Sequence, residues 1–131
     1  MPSDYKQSAV RHFYDAELLA ASGRYDDAGH LMGLAAECAL KLGAQGFTQP
    51  SNQEIDGHLP GVKRTIRSIL DGRSAKGPLL ALVGRSDFFQ NWAVNDRYKS
   101  DGHVEKPTYD NWKASTKLAF GIVKLRAPAG E

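Results

Sequence analysis

Apolar residues along this chain recur every three or four positions, not every second one, which predicts helices and little or no sheet. Ser3 is a candidate N-cap for a first helix running to about Ser22. Ala9, Phe13, Ala16 and Ala20 share one face of it, with Leu19 alongside, and Gly23 follows as a C′ glycine. A second helix is expected from about Tyr25 to Leu42. Leu31, Leu34, Cys38 and Leu42 line one face, Ala28, Ala35 and Ala39 widen it, and Gly43 stops it. The short link between the two helices predicts an antiparallel hairpin.

Residues 43–60 change character. Gly43, Gly46, Pro50, Ser51, Asn52, Gly57 and Pro60 read as a long loop, expected to be the most mobile interior segment. A third helix is predicted to begin near Pro60, where proline suits a first turn, with Val62, Ile66, Ile69 and Leu70 as its apolar face. Asp71-Gly72-Arg73-Ser74 should break it. A fourth helical stretch is predicted from Pro78 to about Tyr98, with Gly84 as a kink or split; Leu82, Phe89 and Ala93 lie on one side, near Val83 and Trp92. Asp101-Gly102 makes a turn. A fifth helix begins near Pro107 or Thr108 and carries Tyr109, Trp112, Thr116, Ala119, Phe120 and Val123 at helical spacing. Ala127 to Glu131 should fray.

The 131 residues suit a single domain, 1–131, and the 41% apolar and 24% charged content is that of a globular chain. The start, Met1-Pro2-Ser3-Asp4-Tyr5, lacks the apolar core of a signal peptide, and no apolar run reaches the ~20 residues of a membrane span. With one cysteine, Cys38, no intrachain disulfide can form, and a cytoplasmic protein that contacts no membrane is expected. Charge is uneven. Residues 1–56 hold four Lys/Arg against eight Asp/Glu, a net of −4, and the remainder holds thirteen against seven, a net of +6. A basic half attracts phosphates, although such side chains also simply solvate the outer faces of helices.

Candidate chemistry is sparse. None of the four histidines, His12, His30, His58 and His103, pairs with another at the three- or four-residue spacing that clasps a metal. No metal or cofactor is implied. Glu37 sits among Leu34, Ala35, Cys38 and Ala39, where a carboxylate has to find a partner. Asn95-Asp96-Arg97-Tyr98-Lys99-Ser100-Asp101-Gly102-His103 places an arginine at a helix end and a histidine just beyond a flexible glycine. Trp92 and Trp112 read as core or dimer-contact aromatics.

Residues 16–43, "AELLAASGRYDDAGHLMGLAAECALKLG", look like a tetratricopeptide unit, but no second copy recurs at a period near 34 residues, so a single helical hairpin is the better reading. The opening hairpin with "AAECALKLG", together with "NWAVNDRY", resembles the HEPN (higher eukaryotes and prokaryotes nucleotide-binding) domains over most of the chain. That resemblance implies an all-α, up-and-down bundle of four to five helices that dimerises. Many such proteins are metal-independent ribonucleases, including toxins and defence effectors, with an Arg followed at short spacing by a His. Arg97, five residues and His103 fit that pattern. On this likeness His103 would move protons, Arg97 would hold the anionic transition state across a dimer cleft, and Glu37 would orient Arg97. Tyr98 directly after Arg97 is more like the non-catalytic members, which bind nucleotides or accompany a nucleotidyltransferase. Arg24 and His30 also have five residues between them. Two functions therefore stay open: a ribonuclease held in check by an antitoxin or similar partner, and a non-catalytic module that binds RNA, nucleotide or a partner protein. A plain helical adaptor is the third.

Overall fold

The computed structural model describes residues 4–48, 53–71, 77–93, 99 and 101–127. Among these the chain forms five helices and no strand: α1 Tyr5–Ala21, α2 Tyr25–Gln45, α3 Val62–Leu70, α4 Gly77–Val83 and α5 Lys106–Ile122. The expected cap Ser3 lies outside the described residues. Asp4 caps α1 instead, its carboxylate accepting from the Gln7 amide at 2.9 Å. At the other end Gly23 has φ 75°, its amide donates to Ala20 and the Arg24 amide donates to Leu19, a Schellman closure that turns the chain sharply into α2.

α2 is the central element. α1, α5 and α3 all pack on it, and α4 links α3 to α5. Its buried side is broader than the leucine stripe suggested. Ala28, Gly29, Met32, Gly33, Ala35, Ala36, Ala39, Leu40 and Ala44 are buried, whereas Leu31, Leu34, Cys38 and Leu42 are half-buried. Small residues let bulky neighbours approach the backbone. A Cβ on Gly33 would lie 2.0 Å from the Trp92 ring, and one on Gly29 would lie 2.7 Å from the Trp112 ring. Gly43 does not stop α2, contrary to its sequence reading. The helix continues to Gln45 because Gly43 lets Val123 and Leu79 come close, and that packing outweighs glycine's poor helix propensity.

The segment read as a long loop is partly built into the core. Ile55 and Leu59 are buried, and the Ile55 and Leu59 amides donate to Tyr5 and Glu37. Pro50, Ser51 and Asn52 lie outside the described residues. α3 starts at Val62, not Pro60. The Leu59–Pro60 bond is cis and Pro60 belongs to the preceding turn, where His58 O accepts the Val62 amide. The fourth stretch is much shorter than its periodicity implied. α4 ends at Val83, and residues 84–93 proceed as turns in which Phe89 and Asn91 take positive φ. Phe88, Phe89 and Trp92 are all buried, reached through these turns and not through a helical face. α5 opens with Pro107 in its first turn, and Tyr109, Trp112, Thr116, Ala119 and Phe120 are buried as their spacing predicts. No described helix is long and apolar enough to cross a membrane.

Candidate functional site

A polar junction joins the start of α2 to the turn before α5. Asp26 lies in the first turn of α2, where a carboxylate opposes the positive end of the helix dipole. Gly102, at φ 86°, reverses the chain so that residues 102–104 lie against that carboxylate. The Gly102 amide donates to Asp26 Oδ2 at 2.7 Å and the Val104 amide to Oδ1 at 2.9 Å. His103 Nδ1 is 3.4 Å from Oδ1, and its side chain keeps 20% of its surface exposed. Val104 is buried and packs near Gly29, which anchors the turn from below. Partial burial pushes the Asp26 carboxyl up, but the two amides and the neighbouring imidazole outweigh it and hold the group below the usual carboxylate range.

His103 lines a crevice with Asp26, His30, Trp92, Ala93, Val104 and Trp112. The opening is only about 10 Å³, too narrow for more than one water, so any larger ligand has to lie over its rim. His30 stacks on Trp92 with ring centroids 5.9 Å apart. Trp92 Nε1 donates to Gly29 O at 2.9 Å and Trp112 Nε1 to Gln90 O at 3.2 Å. Both indoles are buried and serve as wall, not as exposed stacking platforms.

Arg97 and Tyr98 lie outside the described residues. Ala93, His103 and Val104 all line the crevice. The histidines of the two Arg–His spacings are neighbours here. Arg24 is the N-cap of α2, and His30 shares the crevice with His103.

Glu37 belongs to a different site. It is 4% exposed, and its carboxylate accepts from Lys41 Nζ at 3.2 Å and from the Leu59 amide at 3.1 Å, with His58 Nδ1 at 3.1 Å. Lys41 is itself buried, with its ammonium 5.9 Å from the centre of the Tyr5 ring. The Tyr5 hydroxyl donates to Glu54 at 2.8 Å and accepts from the Ile55 amide at 3.0 Å. These bonds fasten residues 54–59 to α1 and α2. Glu37 is eleven positions from Asp26 along one helix, roughly 16 Å at the helical rise. Within one chain, therefore, Glu37 and His103 are not brought together.

Sequence reasoning identified the need for a Glu37 partner and passed over His58, which meets it from 21 residues away. The only available signal was that need itself, since no local spacing links the two. Burial and the adjacent Glu37 push the Cys38 thiol up to about 11, which suits a core residue and not a nucleophile. Burial and then Arg11 lower His12. Several cations of the basic half are engaged locally: Arg85 with Asp87, Lys106 with Asp110, Lys113 with Glu17, and Lys63 with the Arg85 and Phe88 carbonyls. Among the described residues no cluster of three or more His, Cys, Asp or Glu side chains is placed to hold a metal ion. No family model, curated protein or solved structure matches this chain.

Proposed function

We propose that this chain is a HEPN-like helical module that acts on RNA as a cytoplasmic homodimer, with His103 and Arg97 as the working groups of a metal-independent endoribonuclease. The observation that carries this reading is the setting of His103. Its imidazole lies 3.4 Å from the Asp26 carboxylate and lines a crevice together with Ala93, four positions before Arg97 in the sequence. A partly exposed imidazole held beside a carboxylate is suited to proton transfer.

The reaction needs no metal. The 2′-hydroxyl oxygen attacks the adjacent phosphorus while the bond to the 5′ oxygen breaks, giving a 2′,3′-cyclic phosphate and a 5′-hydroxyl. An imidazole takes the 2′ proton or supplies the proton to the leaving oxygen, and a guanidinium holds the added negative charge on the phosphoryl oxygens. Two copies across a two-fold axis would supply the cleft that the narrow crevice of one chain lacks. An antitoxin or nucleotidyltransferase partner would restrain such an activity.

Purified protein incubated with single-stranded RNA and a chelator, beside Arg97→Ala and His103→Ala, tests this. Cleavage to cyclic-phosphate ends that both substitutions abolish supports the reading. Equal cleavage by all three, or none by the unsubstituted protein at high concentration, removes it.

A second reading, a non-catalytic binding module, draws on Glu37. Its carboxylate is taken up by Lys41, His58 and the Leu59 amide, as in a structural clasp. Under that reading RNA or nucleotides raise the melting temperature without being cleaved.

A further inference from the structure

We infer that Asp26 is a positioning residue for His103, fixing which ring nitrogen faces the phosphodiester. This rests on the reading of His103 as the proton-transfer group. Asp26 comes from a distant part of the sequence, 76 positions from Gly102 and 78 from Val104. Its two oxygens accept the amides on both sides of His103, at 2.7 and 2.9 Å, which fixes the backbone that carries the ring. The same carboxylate then stands 3.4 Å from Nδ1. Two bonds set the position of the α-carbon, and the third contact sets the ring about its own torsions.

The charge matters as much as the geometry. The carboxyl stays ionised well below neutral pH, because the two amides and the imidazole together outweigh the effect of its partial burial. An ionised acceptor beside Nδ1 favours a proton on that nitrogen, which makes Nε2, on the far edge of the ring, the nitrogen that exchanges protons with substrate. Asp27, the next residue along, is exposed and makes no such contact with the turn. The pattern is local to Asp26: a short side chain on the first turn of α2, within reach of a glycine turn.

Asp26→Asn keeps an oxygen that can accept one amide and removes the charge. Two measurements on the full chain separate positioning from simple support: the His103 ring ¹⁵N shifts, which report the tautomer, and kcat and KM for cleavage of single-stranded RNA. The unsubstituted protein is expected to show mainly the Nδ1–H tautomer. D26N should shift it toward Nε2–H and lower kcat by about tenfold or more, with KM changed by less than about twofold. Asp26→Glu retains the charge and is expected to recover the tautomer and most of kcat; it also carries the test if D26N fails to fold.

An unchanged tautomer in D26N, or a shifted tautomer with unchanged kcat, overturns the proposal. So does D26E behaving like D26N in both measurements. If the unsubstituted protein leaves RNA intact, the ribonuclease reading falls and the positioning role falls with it. The ring shifts would then show separately whether the carboxylate still holds the imidazole as an anchor of the turn.

Discussion

Removing the Glu37 carboxylate is expected to be the most damaging single polar substitution in the described fold. In Glu37→Ala the Lys41 ammonium, 7% exposed, keeps only the Tyr5 ring beside it, and the Leu59 amide loses its acceptor. Breaking a buried ion pair from one side costs about 3–5 kcal/mol, and an unsatisfied buried amide about 1–3 kcal/mol. The two costs overlap, since relaxation that hydrates one group also reaches the other, so about 4 kcal/mol is expected in total. That is a large part of the roughly 5–15 kcal/mol that stabilises a domain of this kind. His58 adds little, because its side chain is 54% exposed and returns to water. Lys41→Met should be milder, because Glu37 keeps His58 and the Leu59 amide. The double variant Glu37→Met/Lys41→Met removes both charges and should lie within about 2 kcal/mol of the unsubstituted protein. Urea unfolding followed by circular dichroism measures these proteins together with Glu37→Met, the single variant that closes the cycle. A cost below about 1 kcal/mol for Glu37→Ala, or strictly additive single effects, would refute the clasp. Cleavage by the folded double variant would place Glu37 outside the reacting site, and its loss would bring Glu37 back into it.

Gly33→Ala puts a methyl group 2.0 Å from the Trp92 ring, inside a packed core, and should cost at least about 1–3 kcal/mol, with a change in tryptophan emission as the indole leaves Gly29 O. Gly121→Ala is expected to do the reverse: its methyl meets nothing within 4 Å, so the better helix propensity should raise stability by about 0.5–1 kcal/mol in the same unfolding assay. Asp26 is depressed in the folded chain, so its contribution is present above the unfolded value near 3.9 and is lost as pH falls through the lower folded value. The Gly102 and Val104 amide resonances should therefore move together as the pH falls below about 4, a transition that D26N should abolish.

The helical hairpin and the last helix were legible because each buries one periodic face: Ala9, Phe13 and Ala16 in α1, and Tyr109, Trp112, Thr116 and Phe120 in α5. Gly23 closes α1 through its positive φ; Gly43 failed to stop α2, where Leu79 and Val123 pack close to it. The stretch after Val83 misled for a related reason. Phe88, Phe89 and Trp92 are apolar at intervals that fit a helix, yet they satisfy the core through positive-φ turns that no periodicity reveals. At the candidate site, His103 and the Asp101-Gly102 turn could be read locally. Asp26 and His58 could not, since their contacts span 76 and 21 residues and depend on how α2 is surrounded.

The central place of α2 has a consequence for hydrogen exchange. Its amides are enclosed by α1, α3 and α5, so they should exchange only when the whole domain opens. The His103 turn is tied to that same helix by individual bonds to the Asp26 carboxylate, without a ladder of its own, and should open at lower free energy. The rim of the crevice can thus be rebuilt around a ligand while the rod beneath it stays shut, and deuterium uptake would separate the two as distinct steps.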